Sequence, residues 1–213
     1  MRCLLADDHE MFTDMLKSYL EAKLPVSMVV TVSTLSKALE AASQQDFDLV
    51  LLDLRMPGMR LPDGVKKMRE MQEGVPIAVI SGTANVADGL AAMQAGAAGF
   101  LPKTLSGEDL VAATARLLEG ERYTPPNMPG ALEPEPAGGL DEKRKPLTRR
   151  ELAVLQELCA GKQNKEIGRA LGIAEQTVKI HLQGIFRKLG AKNRADAVRI
   201  AMADPQSGAT GSN

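Results

Sequence analysis

The 213-residue chain is 44% apolar, 25% charged and 3% aromatic, enough for one large domain or two small ones with real cores. Two cysteines far apart, Cys3 and Cys159, and two histidines exclude a disulfide framework and a His/Cys zinc site. No run approaches the roughly 20 apolar residues of a membrane span, and Asp7, Asp8 and Glu10 interrupt any signal-peptide core, so a reducing, cytoplasmic setting is expected. The net charge of −1 divides into −6 over residues 1–121 and +6 over residues 141–213, which predicts two modules, the basic one a candidate for nucleic acid.

In chain order, short apolar runs alternate with amphipathic stretches. Strand-like 3–6 precedes helical 10–23, and 28–32 precedes 35–43. Next come 49–52 before 65–73, 77–80 before 86–95, and 98–101 before 108–119. Five strands, each followed by a helix, predict a parallel sheet with helices on both faces. Several runs are continuous rather than alternating, as suits strands covered on both sides. The stretch 86–95 has the weakest helical signal, because it is largely alanine and contains Gly89.

Residues 122–146 hold six of the twelve prolines and almost no apolar periodicity, and are read as a linker. Helical patterns then cover 149–160, 165–171, 175–189 and 195–203, separated by Gly161, Gly172 and the turn at 190–193. Connections this short suit a small all-α bundle. The small, polar residues 204–213 form a flexible tail.

In an open parallel sheet, ligands bind beyond the carboxyl ends of the strands. Asp7 and Asp8 close the first predicted strand and Asp53 the third, while Ser81 ends the fourth and Lys103 follows the fifth. Three carboxylates in one crevice repel each other unless a hard cation sits among them, and Mg2+ is the natural candidate. A lysine and a hydroxyl on the same rim suit an anionic group, of which a phosphoryl is the obvious one. The sequence has no G-x-x-x-x-G-K-[ST] loop, no G-x-G-x-x-G after the first strand, and no Ser/His/Asp set on these strands.

ADDH at 6–9, LLDLRMPG at 51–58, VISG at 79–82 and GFLPK at 99–103 resemble the receiver domain of two-component response regulators. The resemblance implies a flavodoxin-like (βα)5 domain over 1–121 that accepts a phosphoryl group on Asp53 from a sensor histidine kinase. Asp8, Asp53 and the backbone carbonyl of Arg55 would hold Mg2+ directly, with Asp7 helping from close by. Ser81 and Lys103 would bind the phosphoryl oxygens, and Phe100 would be the switch aromatic that turns inward. His9 is read as a surface or capping residue. Asp63-Gly64 arrives later than the family pattern, which predicts a third helix that starts late and a longer loop over 59–64. Thr104, rather than proline, follows Lys103, giving no ground for a cis peptide there.

In the basic half, NKEIGRALG and IAEQTVKIHLQGIFRKLG read as a helix, a glycine-bearing turn and a second helix. The second helix carries Lys179, His181, Gln183, Arg187 and Lys188 among apolar Val178, Leu182, Ile185 and Leu189. Such a helix suits the DNA major groove, its basic residues meeting phosphates. LTRRE, GKQNKEIGRALGI, TVKIH, KLG and NRADAV resemble the LuxR-type helix-turn-helix of the NarL/FixJ family. That resemblance covers 147–203 and implies that Lys179, Ile180 and Gln183 face base edges. Thr177 and Arg187 or Lys188 would touch the DNA backbone, and the last helix, from Asn193, would serve dimerisation.

Together the resemblances imply a phosphorylation-controlled transcription regulator rather than an enzyme. It would act as a homodimer on double-stranded DNA and engage the transcription machinery. The alternative is an atypical receiver whose DNA binding is independent of phosphorylation and regulated by protein or ligand contacts, supported only by the 59–64 loop.

Overall fold

The computed structural model describes residues 1–83, 85–126, 128 and 147–203, and for Gln176 the backbone alone. Most of the expected linker and the expected tail lie outside the described residues. The chain divides into two compact units, Met1–Pro134 and Glu135–Asn213.

The first unit runs β1 (Arg2–Ala6), α1 (Glu10–Lys23), β2 (Met28–Val32), α2 (Leu35–Gln44), β3 (Leu49–Asp53), α3 (Asp63–Met71), β4 (Ile77–Ser81), α4 (Val86–Gln94), β5 (Gly99–Pro102) and α5 (Gly107–Leu118). The five strands form one parallel sheet in the order β2-β1-β3-β4-β5.

The period-two alternation of a strand divides its apolar residues between two cores. Leu4, Val50, Leu52, Ile77, Val79 and Phe100 point to one face, where they meet α2, α3 and α4 through residues such as Ala38, Met68 and Ala92. Cys3, Leu5, Leu49, Leu51, Ile80 and Leu101 point to the other, against Leu16 and Leu20 of α1 and Leu110 and Leu117 of α5. Both faces being covered explains why the strand sequences read as unbroken apolar runs. Deleting one of these fully buried side chains, as in Leu51→Ala, costs about 2–5 kcal/mol.

Helix α3 begins at Asp63, as the late Asp-Gly predicts. The preceding loop is anchored by Met59, which is buried and whose Sδ stands where a side chain on Gly64 would go, while Arg60 and Pro62 are exposed. A cis peptide bond joins Leu61 to Pro62.

The expected linker differs from the structure at its start. The Tyr123 N–H donates to Ala98 O at 3.1 Å and the Phe100 N–H donates to Tyr123 O at 2.9 Å, which extends the sheet edge at β5. Met128 is buried in the core beside α4. An edge strand offers unpaired backbone groups, and Tyr123, lying just before the prolines, can both donate and accept there.

The second unit contains α6 (Arg149–Cys159), α7 (Asn164–Leu171), α8 (Glu175–Leu189) and α9 (Arg194–Ala203) around Val154, Leu158, Ile167, Val178, Leu182, Ile185 and Ala197. Thr148 and Glu151 close a capping box on α6, satisfying two otherwise orphaned donors. Helix α7 ends at Gly172, whose φ of +65° few other residues adopt readily. Gly168 permits the tight α7–α8 corner, since a Cβ on it would stand 2.7 Å from Ile173 O.

Candidate functional site

Strand order reverses at β1, which lies between β2 and β3, and a crevice opens beyond the carboxyl ends of β1 and β3. The register aligns Ala6 with Leu52 and Asp53 with Ile80, which brings Asp7 and Asp53 to the same rim. Both carboxylates are buried. Lys103 crosses the crevice, its Nζ 2.6 Å from Asp7 Oδ2 and 3.0 Å from Asp53 Oδ1. The ammonium lies over the Phe12 ring of α1, 4.9 Å from its centroid. The Lys103 N–H donates to Ser81 O at 2.7 Å, so β4 and β5 end together.

Asp53 Oδ2 accepts from the Arg55 N–H at 3.2 Å, and Asp7 Oδ1 accepts from the His9 N–H at 3.0 Å. The remaining two oxygens, Asp7 Oδ2 and Asp53 Oδ1, are the ones Lys103 approaches, but off their hydrogen-bonding directions. They are attracted by charge and lack a well-aimed donor. Burial pushes the Asp53 carboxyl above its ordinary range; attraction to Lys103 opposes that shift and the neighbouring Asp7 charge adds to it.

One ligand atom from each of Asp7, Asp8, His9 and Asp53 lies within 4.8 Å of the others. Carboxylate oxygens without aimed donors, converging from two strand ends, fit a hard divalent cation. The exposed His9 stands at the N-cap position of α1 with no capping side-chain bond, and its Nδ1 lies 3.0 Å from Oδ1 of both Asp7 and Asp8.

The other expected residues are placed as follows. Ser81 is buried, and its Oγ donates to Thr83 O at 2.7 Å. Phe100, expected to turn inward, is already fully buried in the α4-side core, because β5 alternation points it there. Sequence reasoning missed two neighbours: Phe12, one turn into α1 on the face toward Lys103, and Asp88 of α4, whose Oδ2 lies 3.3 Å from Arg55 Nη2. Helical spacing from His9 could have suggested the first; no sequence signal pointed to the second.

In the second unit, two residues expected to touch DNA do not offer themselves. Thr177 is fully buried. Lys188 Nζ lies 2.6 Å from Glu151 Oε2 in a pair with little exposure. His181 is buried as well. The exposed Lys179 and Gln183, with half-buried Ile180 and Arg187, occupy one face of α8 at positions i, i+4, i+1 and i+8.

Residues 3–115 match the family described as response regulator receiver domain, and residues 145–201 match bacterial regulatory proteins of the luxR family. Over 208 residues the chain is 34% identical to the glycerol metabolism activator of Pseudomonas putida, covering 94% of each chain. Over 201 residues it is 34% identical to the nitrate/nitrite response regulator protein NarL of Escherichia coli, covering 91% of each. A solved structure of RcsB from Salmonella enterica serovar Typhimurium, bound to a promoter in the presence of phosphomimetic BeF3−, is 26% identical. That likeness covers 94% of this chain and 97% of that one, with a TM-score of 0.54.

Proposed function

The chain belongs to the response regulators that join a receiver domain to a LuxR-family DNA-binding domain, and from that membership we propose that a phosphoryl group accepted on Asp53 controls its pairing and its grip on DNA. The observation that carries this reading is Lys103, held 3.0 Å from Asp53 Oδ1 in a buried acidic crevice. A cation poised between two carboxylates is placed to receive the oxygens of an anion added to one of them.

The Asp53 carboxylate acts as the nucleophile: one of its oxygens bonds to phosphorus as the bond between phosphorus and the donor's histidine nitrogen breaks, its electron pair leaving with the imidazole. Asp8, Asp53 and the Arg55 carbonyl, with Asp7 close by, would hold Mg2+, and the charge of a bound cation would offset the repulsion between the carboxylate and an incoming phosphoryl. The new group carries about −1.5 to −2 charges. Lys103 turns from the carboxylates toward the phosphoryl oxygens, and Ser81 Oγ leaves Thr83 O to donate to one of them. Since Phe100 is already inside, the response is a repacking of that ring against α4 and not an inward swing. The free-energy difference between the two packings sets the population that binds DNA.

On DNA, Lys179, Ile180 and Gln183 face base edges from α8 and Arg187 faces the backbone. The protein acts as a homodimer reading two half-sites one helical repeat apart. RcsB, solved on a promoter with a phosphomimetic, supports both halves of this reading. A sensor histidine kinase supplies the phosphoryl, and the transcription machinery reads the bound dimer in the cytoplasm. The chain is a switch, not an enzyme. Residues 1–121, with Tyr123 and Met128 packed on them, form the receiver module, and residues 147–203 form the DNA-binding module.

The test is incubation of the full chain with a small-molecule phosphodonor and Mg2+, read by intact mass. One phosphoryl group on the wild type and none on Asp53→Ala is the expected result; equal labelling of both overturns the assignment.

A further inference from the structure

Three observations in the receiver unit converge on one point of α4. Gly89 lies inside that helix, where glycine costs about 1 kcal/mol relative to alanine. Its backbone shows no positive φ that would require it. A Cβ on Gly89 would stand 2.6 Å from Met128 Sδ, nearer still to Met128 Cε, and 3.4 Å from Phe100 Cδ1. Met128 therefore fills the notch that the missing side chain leaves, beside the buried Phe100.

The backbone holds the same segment from the other side. Phe100 is bonded through its N–H to Tyr123 O, at 2.9 Å, so the residue flanking Met128 in the core is also tied to the chain that leads to it. Phe100 in turn lies on β5, whose partner β4 ends at Ser81 on the rim of the acidic crevice. A close-packed core has no spare volume for an aromatic ring to shift into. Movement of Phe100 or α4 must displace the neighbour that can yield most cheaply, and an unbranched thioether is that neighbour.

We propose that the α4–β5 face carries a seat for the chain's own linker, with Met128 in the notch at Gly89, and that repacking of Phe100 drives Met128 out of it. The seat stands on packing alone, whereas its release by phosphorylation rests on the reading of Asp53 above. The occupant is the segment that leaves the receiver unit, so the start of the linker is held in one state and freed in the other.

The experiment is hydrogen exchange on the full chain, following the amides of Phe100, Tyr123 and Met128. Met128→Ser removes the occupant. Gly89→Ala blocks the seat while improving the helix, and asks only the flexible end of Met128 to move. Both are expected to speed exchange of these amides by about tenfold or more while β1 and β3 stay protected, and Met128→Leu should retain most of the protection. Wild type with beryllofluoride and Mg2+ should show the same loosening, absent in Asp53→Ala. Unchanged exchange in both Met128→Ser and Gly89→Ala overturns the seat. Beryllofluoride bound at Asp53, seen by fluorine resonance, with no change at these amides overturns the release. If beryllofluoride does not bind, the phosphoacceptor reading fails and the release with it, while the variant data still decide the seat.

Discussion

Lys188 of α8 and Glu151 of α6 form an ion pair at 2.6 Å, with side chains only 10% and 9% exposed. The same Glu151 oxygen accepts the Thr148 N–H at 2.7 Å, and Oε1 faces Gly184, where a Cβ would stand 2.6 Å away. One carboxylate thus caps α6, pins α8 to it and explains a glycine. A charge expected on DNA is used to hold the fold.

Lys188→Ala should accordingly act on stability. It leaves Glu151 buried without its cation, a loss on the order of 3–5 kcal/mol. Thermal unfolding should show the DNA-binding unit melting well below its wild-type midpoint. Measured at a temperature where it is still folded, the salt dependence of binding to duplex should match wild type.

Lys179→Ala should do the opposite. Lys179 is exposed, and its partner among the described residues is Glu175 Oε1 at 3.4 Å, so its removal should leave the melting midpoint nearly unchanged. Binding to a preferred duplex should weaken by roughly 1–3 kcal/mol. Equal weakening on every duplex, with a shallower salt slope, would show a phosphate contact in place of a base contact.

Asp53→Asn should stabilise the receiver unit in the absence of divalent cations. The folded-state pKa of Asp53 is raised, chiefly by burial, above its ordinary value of 3.8. For an acid shifted this way, the contribution to stability is greatest when protonated and is lost as pH rises through the shifted value. The variant should therefore melt above wild type at pH 7, and the gap should close as pH falls below the ordinary carboxylate range.

Mg2+ should reverse that order. A cation bound only by the folded state adds about 2.7 kcal/mol at a hundred times its dissociation constant. The wild-type midpoint should rise on titration with Mg2+, and Asp53→Asn should respond weakly.

Cys3, on β1, is buried, and its thiol is pushed up to about 12 by burial and by Asp48. Alkylation of the native protein at pH 8 should label the half-buried Cys159 well before Cys3.

Much of this arrangement was legible in the sequence because apolar runs bounded by turn residues mark strands covered on both faces. All five strands and nine helices of the described residues lie where the apolar pattern put them, with ends shifted by a residue or two. The acidic crevice was legible because Asp7, Asp8, Asp53, Ser81 and Lys103 each follow or close a strand. Of the two alternatives for a DNA-backbone contact, Arg187 or Lys188, Lys188 is tied to Glu151 for a physical reason that periodicity could have exposed. Thr177, His181, Ile185 and Lys188 recur at helical spacing and share the buried face of α8, while Lys179, Gln183 and Arg187 share the other. The docking of Met128 was not legible, because a proline-rich setting gives no apolar period and the notch that receives it is formed by Gly89, distant in sequence.

The most direct test of the account is to measure solution mass and DNA affinity together, before and after phosphodonor treatment in Mg2+, for wild type and Asp53→Ala. Labelled wild type should shift toward dimer and bind duplex more tightly, and Asp53→Ala should do neither. Wild type that carries the phosphoryl group, verified by mass, yet keeps the same oligomeric state and the same affinity would contradict control through Asp53.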